Sequence, residues 1–186
     1  SAASSTHDTT GNLTKYNKWN YTYDAENRLI KADSASTTAS FEYDAFNRCV
    51  KRTINGTATL FYYDDWNLIE ERNINDQLLA KYIHGARIDE ILKRITTGAN
   101  IYAHQDALNN TTAITDNNAS IKETYRYNAF GTPTIQNANG VTVSASTVSN
   151  RFMYTGREYI QELGLYDYRN RVYSAILGRF LQTDPI

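Results

Sequence analysis

The sequence predicts an all-β protein, a curved antiparallel sheet of short hairpins with little helix, near residues 156–165, where a short helix or a turn fits. An aromatic segment recurs every 20 residues, which indicates a repeated structural unit. Thr and Tyr, which favour strands, occur 22 and 15 times, and Asn, which favours turns, occurs 19 times. No long segment shows the i, i+3, i+4, i+7 apolar spacing of an amphipathic helix.

The repeat defines where the strands lie. Its three units span residues 21–29, 41–49 and 61–69, and their aspartates are Asp24, Asp44 and Asp64. Tyr82 and Tyr102 continue the 20-residue step. Each unit carries an aromatic-x-Tyr pair, and side chains alternate along a strand, so both rings point to one face. We expect equivalent rings of successive units to line up along the sheet as packing residues.

Each repeat also contains its own turn signal. The aspartate is followed three residues later by Asn27, Asn47 or Asn67, and an Asp side chain accepts backbone N–H groups within a turn. Asn tolerates a left-handed backbone, so we predict a positive φ at these three positions. Asn55-Gly56 predicts a two-residue type I′ hairpin between strands.

Composition excludes several classes of function. A formal net charge of −1 argues against nucleic-acid binding. No apolar run approaches the ~18 residues of a membrane span, so we expect no membrane insertion. The single cysteine, Cys49, cannot form an internal disulfide and is interpreted as a small buried residue. Neither a Gly-x-Ser-x-Gly motif nor a phosphate-binding loop is present, and we expect no cofactor.

The repeats followed by an ordered tail resemble the RHS/YD-repeat family. The units at 21–69 resemble its Tyr-Asp repeats, and the tail from Tyr154-Thr155-Gly156-Arg157 to Gly178-Arg179-Phe180 and Thr183-Asp184-Pro185 resembles its repeat-associated core. On this basis we divide the chain into a lead-in strand or tail (1–20), YD repeats (21–100) and the associated core (101–186).

The resemblance implies a hollow β-shell that encloses a C-terminal effector, which the core releases by aspartyl-type self-cleavage. Asp184 is the tail aspartate that matches the family motif. Aspartyl chemistry needs a second carboxylate, and we expect that partner beyond Ile186, because Asp167 is a poor substitute and Ser174 replaces another acid. We therefore expect no enzymatic activity from this chain and interpret Asp184 first as a turn residue.

A metal site is the other chemistry that the spacing allows. His84 and His104 are 20 residues apart, and Asp106 is the only close third ligand. We expect instead that backbone or tyrosine partners satisfy these histidines, and predict no metal.

Three functions remain. The first is a structural shell segment, secreted or on a bacterial cell surface, whose partners are a C-terminal effector cargo and either the rest of the shell or other copies joined by strand addition. The second is a module that binds cell-surface glycans or a protein through exposed rings of Tyr16, Trp19, Tyr21 or Trp66. The third is part of an autoprotease.

Overall fold

The computed structural model describes residues 5–184 and confirms an all-β chain. Fifteen strands form one sheet. They are β1 Ser5–His7, β2 Leu13–Tyr16, β3 Trp19–Tyr23, β4 Leu29–Asp33, β5 Thr38–Tyr43, β6 Cys49–Ile54, β7 Thr57–Asp64, β8 Asn67–Arg72, β9 Leu78–His84, β10 Ile91–Ile95, β11 Asn100–Gln105, β12 Thr111–Thr115, β13 Ile121–Tyr127, β14 Pro133–Asn137 and β15 Thr142–Val143.

These strands follow one another in the sheet in chain order, and every neighbouring pair is antiparallel. The fifteen strands thus form a ribbon of hairpins, which runs without interruption through residues 100 and 101. Short turns produce this meander, because neighbouring strands that run in opposite directions need only a tight reversal of the chain between them. The side chains on one face of the ribbon thus form a single continuous surface, which another part of the chain can cover.

A second sheet covers that face. It contains β16 Glu158–Ile160, β17 Leu165–Asp167, β18 Val172–Ser174 and β19 Arg179–Phe180, preceded by a 3-10 turn at Tyr154–Gly156. We call the segment from 150 to 184 the tail. No helix among residues 5–184 has the length and apolar character needed to cross a membrane.

Of the short helix or turn expected at 156–165, the turn is present at 161–164, and the segment contains no α-helix. The only helical segment in residues 5–184 is the 3-10 turn, and Thr155 inside it has a φ of 51°. Residues 158–167 instead form a hairpin in which Tyr159 pairs with Tyr166. Gly164, with a φ of 66°, closes its turn. The strand form lets Ile160 and Leu165 both point into the core, which a short helix could not achieve against a flat sheet face.

The core lies between the ribbon and the tail. Buried side chains such as Leu29 and Phe41 of the ribbon belong to one cluster with Ile160, Leu165 and Leu181 of the tail. A second cluster joins the later strands to the tail. Alternating side chains of the ribbon therefore lose water on one face only, as in an antiparallel sheet with one face packed.

Two contacts show that the ribbon curves around the tail. The Leu13 N–H donates to the Leu181 carbonyl at 2.8 Å. The Tyr166 hydroxyl donates to the Gly131 carbonyl at 2.8 Å. Leu13 and Gly131 lie about eleven strand spacings apart, which is ~50 Å along a flat sheet. Three short strands of the tail bridge these points, so the predicted curvature is confirmed.

Candidate functional site on the covered face of the ribbon

Among residues 5–184, eight turns are built by the same hydrogen bonds. An Asp or Asn side-chain oxygen accepts the backbone N–H groups two and four residues later; Asp24, for example, accepts from Glu26 at 2.9 Å and Arg28 at 3.0 Å. The eight residues are Asp8, Asp24, Asp44, Asn73, Asp106, Asp116, Asn128 and Asn137. The predicted turn role of Asp24 and Asp44 is confirmed. Burial alone would raise the pKa of Asp24, but hydrogen bonds from Arg28 and Glu26 outweigh it and lower that pKa.

The left-handed residue always stands three positions after the aspartate or asparagine. Asn27 and Asn47 have φ values of 60° and 64°, as predicted. The prediction for Asn67 is wrong: Asp64 pairs with Asn67 inside the ladder, and the left-handed residue is Asp65, with a φ of 50°. Asp-x-x-Asn fits either a four-residue turn or a two-residue hairpin, and this unit uses the second. Asn55-Gly56 forms the predicted turn, with φ values of 49° and 83°.

A ladder of tyrosine hydroxyls crosses the covered face. Each hydroxyl donates to a backbone carbonyl of an earlier strand in the ribbon: Tyr23 to Leu13 at 2.8 Å, Tyr43 to Leu29 at 2.7 Å and Tyr63 to Cys49 at 2.9 Å. His84 takes the next position, with its Nε2 2.8 Å from the Leu68 carbonyl. The predicted alignment of Tyr23, Tyr43 and Tyr63 on neighbouring hairpins is therefore confirmed.

The 20-residue step breaks down after Tyr63. Tyr82 is buried and bonds to Glu71, so it continues the first ring of each unit rather than the second. Tyr102 points away from the core, because its neighbour Ile101 is buried, and its hydroxyl donates to Asn117 Oδ1 at 3.1 Å. A shift of one residue in a strand reverses which face a side chain occupies.

A cluster of four charges, which we call the ionic clamp, joins the ribbon to the tail. Arg52 Nη2 lies 2.6 Å from Glu158 Oε1, and Arg151 Nε lies 2.7 Å from the same oxygen. Arg151 Nη1 donates to Glu71 Oε2 at 3.1 Å. Burial alone would raise the pKa of Glu158, but the two guanidiniums outweigh it and hold that pKa at about 2.

Sequence reasoning assigned no role to the clamp. One signal was available: Arg52 and Glu71 lie on strands at positions that face the covered side, where a charge needs a partner. Glu158, the partner of Arg52, is 106 residues away in sequence, and Arg151, the partner of Glu71, is 80 residues away. No local pattern could have supplied them.

A cavity of about 80 Å³ lies beside the clamp, lined by residues that include Cys49, Tyr63, His84 and Asp167. Burial and the nearby charge of Asp167 raise the pKa of the Cys49 thiol, so it is not a ready nucleophile. Burial, and then the charge of Glu158, raises the pKa of Asp167 to about 6. The Arg169 N–H donates to Asp167 Oδ1 at 2.6 Å.

The residues considered for catalysis and metal binding are dispersed. Asp184 is largely exposed and lies 3.3 Å from Arg171 Nη1. His84 bonds to the Leu68 carbonyl, whereas His104 Nε2 lies 3.0 Å from Thr115 Oγ1, a side-chain rather than a backbone or tyrosine partner. Within residues 5–184 no three His, Cys, Asp or Glu side chains are grouped as a metal site would require.

The four rings considered for surface binding differ in exposure. Tyr21 is only 6% exposed and belongs to the core, so it is not an exposed ring. The Arg169 guanidinium covers the Trp66 ring at 5.2 Å. Tyr16 and Trp19 pair across their hairpin and are half-buried against the core.

A meander of hairpins joined by hydroxyl donors and closed on one face by a small C-terminal sheet defines a YD-repeat shell protein. The model described as Teneurin YD-shell matches residues 3–185, and the chain belongs to this family. It therefore belongs to the RHS/YD-repeat group that the sequence resembles.

Similar proteins agree with this assignment. The chain is 30% identical over 184 residues to the tRNA3(Ser)-specific nuclease WapA of Bacillus spizizenii and to the tRNA nuclease WapA of Bacillus subtilis, covering 96% of this chain but 8% of each relative. The Tc holotoxin pore of Photorhabdus luminescens matches with a TM-score of 0.72 at 15% identity, over 96% of this chain and 9% of that one. A TcdB2–TccC3 structure gives 0.72 at 16% identity, over 96% and 10%.

Proposed function

We propose that this chain is a wall segment of a YD-repeat shell that holds a C-terminal, toxin-type cargo segment away from solvent. The ionic clamp carries the proposal, because it ties the tail to the covered face of the ribbon through buried pairs of opposite charge. The terminal strands β1 and β15 each pair on one side within residues 5–184. Their other sides are suited to pairing with further strands of the shell or with other copies.

The chemistry of the acidic and thiol groups supports a non-catalytic role. Asp184 is exposed beside Arg171, Glu158 is neutralised by two guanidiniums, and the raised pKa of Cys49 keeps its thiol protonated. We expect a fusion of this chain to a C-terminal reporter to show the same cleavage rate with and without Asp184→Asn. Faster cleavage of the wild type would assign catalysis to Asp184.

An extracellular or cell-surface location fits this role. A Tc holotoxin pore is among the similar structures, and a 35-residue stretch is 51% identical to the salivary gland surface protein 1 of Aedes aegypti, over 19% of this chain and 1% of that protein. We propose that residues 21–100 are the YD repeats and residues 101–186 the associated core, with strands β1–β15 continuing as one sheet across this boundary.

Replacement of the matching segment in Bacillus subtilis WapA tests the wall proposal. A chimera that carries this chain in place of its 184-residue match should give the same pattern and rate of proteolysis as the parent. The same chimera with Glu158→Gln should be digested faster, and one with Lys51→Ala, an exposed pair, should behave like the unmutated chimera. Rapid digestion of the unmutated chimera, while the isolated chain is folded by circular dichroism, would contradict the proposal.

Glycan binding is the second candidate function, and it depends on Trp19. Its half-buried ring stacks on Tyr21 at 6.5 Å and has the Lys18 ammonium 5.6 Å from its centre. A glycan array should then show binding that Trp19→Ala removes without loss of folding. Absence of binding by the wild-type chain would eliminate this candidate.

A further inference from the structure

One rim of the ribbon exposes a large apolar side chain at turn after turn. Every turn that follows an odd-numbered strand lies on this rim. Phe46, Ile88, Leu108 and Phe130, in four of these turns, have exposed fractions of 71%, 73%, 72% and 57%. Half-buried Trp66 lies in the turn between the first two. We call these five residues, together with Ile176 of the tail, the apolar rim.

Neighbouring turns of the apolar rim lie against one another: two of its residues share a surface hollow, and a hydrogen bond connects two of its turns. Phe46 and Trp66 line one shallow surface hollow with Arg48 and Asp65. The Asn109 side chain, next to Leu108, donates to the Ile88 carbonyl at 2.8 Å.

The tail extends the rim at its far end. A Cβ on Gly178 would lie 2.9 Å from the Phe130 ring, which places the turn 175–178 against Phe130. Ile176, in this turn, is 75% exposed. Successive turns are two strand spacings apart, so the five ribbon turns extend over ~40 Å.

The turns on the opposite rim of the ribbon expose fewer large apolar side chains. Among its turns, within residues 5–184, the exposed large apolar side chains are Ile74 at 68% and Val141 at 57%. Two further turns of this rim lie between them, and the six strand spacings from β8 to β14 put them about 30 Å apart. Scattered apolar side chains are ordinary on a protein surface, whereas a continuous row is typical of a binding surface.

The area of the apolar rim suits association between proteins. With ~200 Å² for a phenylalanine side chain, Phe46 and Phe130 expose about 140 and 115 Å². The whole row then offers on the order of 500–600 Å², while a stable interface uses ~800 Å² on each partner. The polar atoms of the same turns supply the remaining interface area, as a polar border around the apolar side chains.

We propose that the apolar rim is the interface between two copies of this chain, related by a two-fold axis that pairs the rows antiparallel. Charge supports this arrangement. The exposed acids Asp64 and Asp65 lie next to Trp66, near one end of the row, and the exposed Arg179 follows Gly178, whose turn lies against Phe130 at the other end. A two-fold axis places each acidic end opposite a basic end, which favours self-pairing in this orientation.

Light scattering and sedimentation of the purified chain from about 5 to 500 μM test the proposal. The wild type should form a dimer, and Phe46→Ser with Leu108→Ser should weaken dimerisation at least tenfold at an unchanged melting temperature. Ile74→Ser with Val141→Ser, on the opposite rim, should leave it unchanged. Asp64→Lys should weaken it and Arg179→Asp in the same chain should restore it.

Three results would overturn the interface. One is a wild type that is monomeric throughout this range. Another is dimerisation that survives the apolar-rim variant but is lost when Thr142→Lys places a charge on the edge strand β15, because strand addition would then be the cause. The third is a monomer that instead sediments with anionic lipid vesicles. None of these three results would change the outcome expected for the WapA chimera, which tests the wall proposal separately.

Discussion

The residue with the broadest structural role is the tyrosine that precedes the turns after β3, β5 and β7. The register of β4 and β5 ends on this side with Lys31 opposite Ser40, so the Leu29 carbonyl lies beyond the last paired position. The Tyr43 hydroxyl donates to it at 2.7 Å. The same relation holds for Tyr63 and Cys49. These hydroxyls therefore satisfy buried carbonyls that the sheet leaves unpaired.

Removing one hydroxyl should measure this contribution. Tyr43→Phe leaves the carbonyl of fully buried Leu29 without a donor, and we expect a loss of about 1–2 kcal/mol in the free energy of unfolding. Tyr62→Phe, whose side chain is 42% exposed, is the matched control and should change it by less than ~0.5 kcal/mol. Denaturant unfolding of both variants compares them, and equal values would show that the ladder adds no stability.

Asp167 should oppose folding at neutral pH. Its pKa is about 6 in the folded chain, above its ordinary value of 3.8, so folding becomes less favourable as pH rises from about 4 to 6. Asp167→Asn keeps an oxygen for the Arg169 N–H and removes the charge. We expect this variant to be more stable than the wild type by about 1–3 kcal/mol at pH 7.5, with the difference gone near pH 4. A constant difference across that pH range would contradict the buried titration.

At the scale of elements, the recurring turn matters more than its exact sequence. The position three residues after the Asp or Asn is always left-handed, yet it is occupied by Gly, Asn, Asp or Ala in different turns. Ala119, with a φ of 58°, is the costliest of these choices because its Cβ clashes with the backbone in this conformation. The Asp116 side chain, which accepts from Asn118 and Ser120, holds the turn in place.

Ala119→Gly should therefore stabilise the protein. Relief of the left-handed strain exceeds the added flexibility of the unfolded chain, and we expect a gain of about 0.5–1 kcal/mol. Ala107→Gly, at an exposed turn position without a positive φ, should instead be neutral or slightly destabilising. Thermal unfolding of the two variants distinguishes these outcomes, and similar shifts for both would mean that the φ at 119 stores no strain.

At the scale of the whole molecule, the ionic clamp decides whether the tail stays on the ribbon. Glu158→Gln leaves Arg52 buried without its counter-charge, and breaking a buried pair in this way costs about 3–5 kcal/mol. We expect faster proteolysis of the tail and a lower melting temperature. Glu42→Gln, whose pair with Lys51 is exposed, should change neither.

The pH dependence of the clamp has the opposite sign to that of Asp167. The pKa of Glu158 is about 2, below its ordinary 4.5, so its stabilisation is complete above about pH 4.5 and is lost as pH falls toward 2. Glu158→Gln should therefore remove part of the acid sensitivity of the wild type. An unchanged acid midpoint would show that other carboxylates control unfolding.

The sequence by itself determined the local architecture: the strands, the turns at Asp24 and Asp44, the type I′ hairpin at Asn55-Gly56 and the alignment of Tyr23, Tyr43 and Tyr63. Period-two alternation and turn chemistry act over a few residues, so these features can be predicted from the chain alone.

Only the tertiary structure decided the features that depend on distant partners. It made 158–167 a hairpin on the sheet face, buried Tyr21, turned Tyr102 outward and brought Glu158 to Arg52, a separation of 106 residues. It also gathered the apolar rim from separate turns. Which face a side chain occupies, and which charge it meets, follows from register and curvature across the whole sheet, and no local pattern of residues encodes them.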